Sequence, residues 1–173
     1  TEALDKIELL MRQTDVTCDY SPAHQAALAK EEDTGGPAAA MVLPDGTLVT
    51  GKTSDLMGAA ASLLLNAAKH MAGIPKQTYV VSSEALAPIC HLKTEHLRSR
   101  NPRLHSDEML IALSLSSATN PQAGEAVDAL DQLAGCDAYF SVIISEADKS
   151  TYRNLGINVC CEPKYERHGY YHR

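Results

Sequence analysis

Residues 54–73, "SDLMGAAASLLLNAAKHMAG", are apolar almost all the way round a helix. A helix of that kind has no side to show to water, so it is buried, and its Gly and Ala residues allow close approach to a sheet. Thr53 or Ser54 is expected to cap it, with Asp55 favourable in its first turn. Gly73 and Pro75 end it. The rest of the chain has to supply the layers that cover this helix. At 173 residues, 45% hydrophobic and 21% charged, it has the make-up of one ordinary globular domain. A domain of this size buries roughly 70% of its unfolded surface, so neither metal nor disulfide is needed to hold it.

The covering elements can be read in order. Residues 2–13 carry Leu4, Ile7, Leu10 and Met11 on one face, a short amphipathic helix. A second helix opens at Ser21-Pro22, a good cap followed by a good first residue. "AAAMVL" and "TLVT" flank Pro44-Asp45-Gly46, which predicts a β-hairpin of strands 38–43 and 47–50. Strands are expected at 78–82, 138–145 and 157–162, the second being the longest, most apolar and central. Helices are expected at 83–97, at 122–134 and from Glu146 to the stop at Gly156. A further one, capped by Ser106, follows the loop 98–105. Strand–helix alternation after a leading hairpin predicts an α/β fold: a three-layer α/β/α sandwich with a mixed, mostly parallel sheet of about five strands. Residues 1–35 form an N-terminal helical segment, 36–163 the α/β domain, and 164–173 a Tyr-rich tail.

One stretch, "GTLVTGKT" at 46–53, fits the phosphate-loop pattern G-x-x-x-x-G-K-[ST] through Gly46, Gly51, Lys52 and Thr53. Its context argues against that role. The four variable residues are Thr-Leu-Val-Thr, strand formers that resist a tight anion-wrapping turn. Gly46 is better explained by the hairpin. The second half, Gly51-Lys52-Thr53-Ser54, still leads into a buried helix whose first amides and positive dipole end suit an anion.

"GKTSDLMGAAASLLLNAAKH", "NPRLHSDEMLIALSLSSATNP" and "LGINVCCEP" together resemble an uncharacterised bacterial family, domain of unknown function eighteen-forty-six. The likeness covers roughly residues 1–163. It implies that the chain is the C-terminal part of a longer protein, with an N-terminal α/β portion ahead of it, and implies no established activity. The element order also looks like the cytidine-deaminase-like three-layer fold. That class holds zinc through H-x-E and P-C-x-x-C motifs opening two helices. Here the corresponding helices open with Lys52-Thr53-Ser54-Asp55 and Ser82-Ser83-Glu84, so the zinc chemistry is not supported. In such folds ligands sit beside helix N-termini at the carboxyl ends of strands. Lys52, Thr53, Ser54, Ser82 and Ser83 would then face one crevice suited to phosphate or carboxylate.

The loop "RNPRLHSDE" adds Arg100, Arg103, His105, Asp107 and Glu108 in nine residues, a set that clamps an anion or does acid–base work. His91, Glu95 and His96 near Cys90 lack the short repeated spacing of a zinc site, and no metal is expected. The five cysteines (Cys18, Cys90, Cys136, Cys160, Cys161) are odd in number and without a C-x-x-C, so they read as reduced thiols of a cytoplasmic protein. A net charge of −7 argues against a nucleic-acid or anionic-membrane surface. No apolar run approaches the ~20 residues of a membrane span. The sequence therefore predicts a domain that binds a small anionic or phosphorylated ligand at helix N-termini through Lys52, Thr53, Ser54, Ser82, Ser83, Arg103 and His105. Its expected partners are the N-terminal portion of the same protein and further copies of itself. Catalytic residues and cofactor stay unassigned. A structural or oligomerisation module, motivated by the helix at 2–13 and the tail, is the alternative, and a nucleotide hydrolase using 46–53 a further one.

Overall fold

The computed structural model describes residues 21–166. The helix expected at 2–13, Cys18 and the tail from residue 167 onward lie outside them. Helix α1 (Pro22–Thr34) starts on Pro22 and ends at Gly35, whose φ of +72° lets its N–H return to Glu31 O. Strand β1 (Ala38–Val42) follows, and the chain turns back into β2 (Leu48–Lys52). Val42 pairs with Leu48 and Ala38 with Lys52, antiparallel. Gly46 supplies φ +82° to the turn, and Thr47 N–H donates to Asp45 Oδ1 at 2.9 Å. The hairpin is the one expected, with β2 running on to Lys52.

β3 (Asp137–Phe140) pairs antiparallel with β1, and β4 (Asn158–Cys161) pairs parallel with β3. The sheet order is β2-β1-β3-β4. It has four strands and is mixed, with one parallel pairing out of three, which corrects the expected mostly parallel sheet of about five. The missing strand is 78–82. Val80 and Val81 are buried, but as anchors of a loop, and the Val80 carbonyl accepts from Asn120 Nδ2 at 3.4 Å. Two β-branched residues asked for burial, and burial came without a ladder. β3 is central but short. Ser141 still bonds Ala38, through N–H to Ala38 O and through Oγ from Ala38 N–H, and 142–145 then leave the sheet.

The two faces of β1 are covered by different helices. Ala40 packs with Ala23 and Ala27 of α1, while Ala39 and Met41 join the main core. That core is built on α2 (Ala59–Met71), whose Leu63, Leu64, Ala67 and Ala68 are fully buried. The expected burial is right, but α2 opens at Ala59 after Gly58, not near Thr53. Long-range partners hold the intervening backbone. Thr53 N–H extends the hairpin to Pro37 O, Ser54 and Met57 close a turn, and Gly58 N–H donates to Leu104 O. Met57 also forms an isolated parallel bridge with Leu104.

α3 (Ser83–His91) is capped by Ser82 Oγ, which accepts from Ala85 N–H at 3.2 Å, and runs into a π-helical turn, Leu92–His96. α4 (Ser106–Ser116) buries Met109 and Leu113 and turns Ile111 and Leu115 outward. α5 (Pro121–Asp128) continues as a 3-10 turn, Ala129–Leu133. α6 (Glu146–Asn154) brings Tyr152 under α2, where its hydroxyl donates to Ala60 O at 2.8 Å and its ring meets Phe140 edge to face. No helix among the described residues is long and apolar enough to cross a membrane.

Candidate functional site

Each defining residue of the 46–53 pattern can be placed. Gly46 makes the hairpin turn. Gly51 faces α2 so closely that a Cβ there would sit 2.6 Å from Leu63 Cα, so only glycine fits. Lys52 is exposed at the end of the edge strand β2. Thr53 gives both its N–H and its Oγ1 to Pro37 O. With 48–52 in a strand, the backbone does not wrap an anion, and the nucleotide-hydrolase use of this stretch is corrected. No helix opens at Thr53 and no strand ends at Ser82, so the crevice drawn between them from the sequence does not form. Ser82 and Ser83 are both exposed, Ser82 serving α3 as its cap.

Thr53, Arg103 and His105 do come together, in a cleft of about 410 Å³ at one end of the sheet's strands. Pro37 before β1, Thr53 after β2 and 142–145 after β3 form its sheet side. Gly58, Ala59 and Ala60 bring in the first turn of α2. The amides of Ala59, Ala60 and Ala61 have no intrahelical partner by helix geometry, and the positive end of the helix dipole lies there. Arg103 is buried, and its Nε donates to Ser54 O at 2.7 Å. Ser54 thus enters the site as a support for Arg103 through its carbonyl. His105 caps α4, its N–H donating to Glu108 Oε2 at 2.8 Å. This corrects the expected cap at Ser106. Glu108 is itself fixed by the buried Lys93 at 2.7 Å, and Lys93 also donates to Arg103 O.

Sequence reasoning missed Asp148, which joins two helix starts beneath the cleft. Its Oδ1 accepts from Ser106 N–H and Ser106 Oγ, both at 2.7 Å, and its Oδ2 accepts from Ser145 Oγ at 2.8 Å. The signal was present: Ser145-Glu146-Ala147-Asp148 has the spacing of a capping box. Burial also pushes the Tyr152 phenol well above its usual range, with Asp148 adding to the shift, so it stays a neutral donor to Ala60 O. The first residues of the tail dock on this chain: Ile143 N–H donates to Lys164 O, and Lys164 Nζ pairs with Glu31 at 2.7 Å. Tyr165 and Glu166 then line the cleft, with Glu166 Oε1 3.9 Å from Arg103 Nη1.

The family model described as "Domain of unknown function DUF1846, C-terminal" matches residues 19–171. The chain belongs to the DUF1846 family. A UPF0371 protein of Corynebacterium glutamicum is 46% identical over 168 residues, 97% of this chain and 34% of that protein. A UPF0371 protein of Streptococcus thermophilus is 48% identical over 164 residues, 95% of this chain and 33% of that protein. One from Streptococcus pyogenes is 45% identical over 171 residues, 99% and 35% of the two chains. This DUF1846 chain thus spans about a third of the length of the curated relatives it matches, which hold a further portion beyond the matched one.

Chemically, the cleft of this DUF1846 domain offers one buried guanidinium, one imidazole and the opening amides of α2, with the Glu166 carboxylate 3.9 Å from the guanidinium. Its buried carboxylate, Asp148, is already satisfied by three donors. Among the described residues no group of three or more His, Cys, Asp and Glu is arranged to hold a metal ion. The four described cysteines are unbridged.

Proposed function

We propose that the cleft binds a small anionic ligand, a phosphate or carboxylate group, through Arg103, His105 and the first amides of α2, with Thr53 in the wall and its hydroxyl held by Pro37 O. The observation that carries this reading is the buried Arg103 guanidinium, fixed by Ser54 O at the cleft where α2 opens. Arg103 supplies a charge-assisted contact of about 1.5–3 kcal/mol. The opening turn of α2 adds about 0.3–1 kcal/mol. Together these match a millimolar anion, whose binding free energy is about −4 kcal/mol. Tighter binding needs contacts from the rest of the ligand or from the portion present in the longer relatives. Lys52, Ser82 and Ser83 of the sequence-based set have no part in it. The reading takes α1 on one sheet face and α2 on the other as the outer layers of the expected three-layer arrangement. It takes the protein as cytoplasmic.

Titration with inorganic phosphate, followed at the backbone amides of Ala59 and Ala60 by two-dimensional NMR, tests the reading. Saturable binding that weakens at least about tenfold in Arg103→Gln, with the thermal melt little changed, supports it. Equal affinity in the variant rejects it.

A second reading, an interface module, is favoured by one observation. Ile111 and Leu115 lie four residues apart on one face of α4 and are 61% and 72% exposed. It assigns that face to the remaining two-thirds of a family-length protein or to another copy. Light scattering on this chain and on a full-length relative, each with Ile111→Glu, separates these assignments from a monomer with a solvated face.

A further inference from the structure

Two lysines are buried among the described residues, and they are treated differently. Lys93 has a counterion, Glu108 at 2.7 Å, and the Arg103 carbonyl besides. Lys69 is 7% exposed, and its Nζ donates to Lys76 O at 2.8 Å. Among the described residues no carboxylate lies within ion-pair distance of it. Asp45, on the neighbouring hairpin, is taken up by His70 at 2.8 Å. Lys69 lines a separate cavity of about 230 Å³, against Lys76, Thr47, Thr50 and Asn66. The wall opposite α2 is thus built from the variable residues of the 46–53 pattern, Thr47–Thr50.

A buried ammonium without a counterion is costly, and a second ammonium brought beside it adds to the cost. Burial first, then the charge of Lys76, hold Lys69 below its ordinary lysine value. In a chain of net charge −7, two lysines lining one recess make a local cationic site. Asn66 Nδ2 is already used on Thr50 O at 2.9 Å, which fixes the wall in place.

We infer that this recess is a second anion site, distinct from the Arg103 cleft, which takes a doubly charged oxyanion of the phosphate type between Lys69 and Lys76. Two ammonium groups without a carboxylate match a dianion better than a monoanion. The volume of about 230 Å³ admits a phosphate group with a small substituent.

The test is a titration of the 173-residue chain with inorganic phosphate, followed at the backbone amides of Thr50, Asn66 and Lys76 by two-dimensional NMR. Saturable shifts are expected there at millimolar phosphate, with acetate at least about tenfold weaker. Lys69→Met removes the charge and keeps the length, and it should weaken these shifts at least about tenfold. Arg103→Gln should leave them unchanged, which separates this site from the cleft. Lys76→Ala, at an exposed position, is the second variant and should weaken binding several-fold whether or not Lys69→Met folds. No saturable shift at these amides overturns the inference, as does undiminished affinity in both lysine variants. The same titration on a full-length relative decides whether the anion is a free one. Loss of phosphate binding there would mean that another part of the protein fills the recess, which also overturns it.

Discussion

Two short stretches, 46–53 and 100–108, both drew attention as candidate anion binders, and the structure treats them in opposite ways. The first matches a known pattern at every defined position. Its residues form a hairpin edge, and three of the four serve packing: Gly46 the turn, Gly51 the approach of α2, Thr53 the closure onto Pro37. The second matches no pattern. Its Arg103 and His105 meet Thr53, the start of α2 and the segment after β3 in one cleft. A spacing match says which residues are present. Whether their donors are already spent is decided by partners far away in sequence.

The strongest way to break this contrast is Gly51→Ala. A Cβ would meet Leu63 Cα at 2.6 Å, which neither strand nor helix can yield easily. The expected loss is roughly 3 kcal/mol or more in urea unfolding. The neighbouring Lys52→Ala should stay within about 0.5 kcal/mol. A tolerated alanine at 51 would remove the packing explanation and reopen the phosphate-loop reading.

Asp148→Ala is next in size. It strands Ser106 N–H and the hydroxyls of Ser106 and Ser145 beneath the cleft. About 2–3 kcal/mol should be lost by denaturant unfolding. Weaker phosphate binding should come with it, because α4 and α6 no longer share an anchor. A loss inside the usual range for surface changes, about 0.5 kcal/mol, would show that the cleft does not depend on this hub.

The smallest effect lies at the hairpin. A hydrogen bond from His70, then two from Thr47, hold the Asp45 carboxyl at about 2, against a usual 3.8. The folded value is the lower one, so the contribution to stability is present above 3.8 and is lost as pH falls through about 2. Carboxyl carbon NMR titration should report that depressed value, and His70→Ala should raise it toward 3.8, with the Thr47 bonds holding it below. An unshifted Asp45 in the parent chain would sever the hairpin from the end of α2.

What could be read from the sequence follows the same division. The burial of α2 and the hairpin were legible because all-round apolarity and Pro44-Asp45-Gly46 are local signals. The start of α2 was not, because Pro37 and Leu104 hold the backbone at 53–58. The strand assigned to 78–82 failed because Val80 and Val81 encode burial without encoding a ladder partner. In the site, Arg103 and His105 stood out by local charge density. Asp148 sits in the first turn of α6 and Lys69 in the last turn of α2, ordinary places for an acid and a base. Their burial against distant elements, not their sequence neighbours, sets them apart.

Arg103 and the opening amides of α2 bind an anion, and the backbone amides of 46–53 do not cradle one. Crystals of the chain soaked in selenate and measured at the selenium edge test it most directly, because the anomalous map locates the anion without bias. A peak is expected within hydrogen-bond reach of the Arg103 guanidinium and the amides of Ala59 and Ala60, absent in Arg103→Gln. A peak cradled by the amides of 47–53, with none at Arg103, would contradict that assignment.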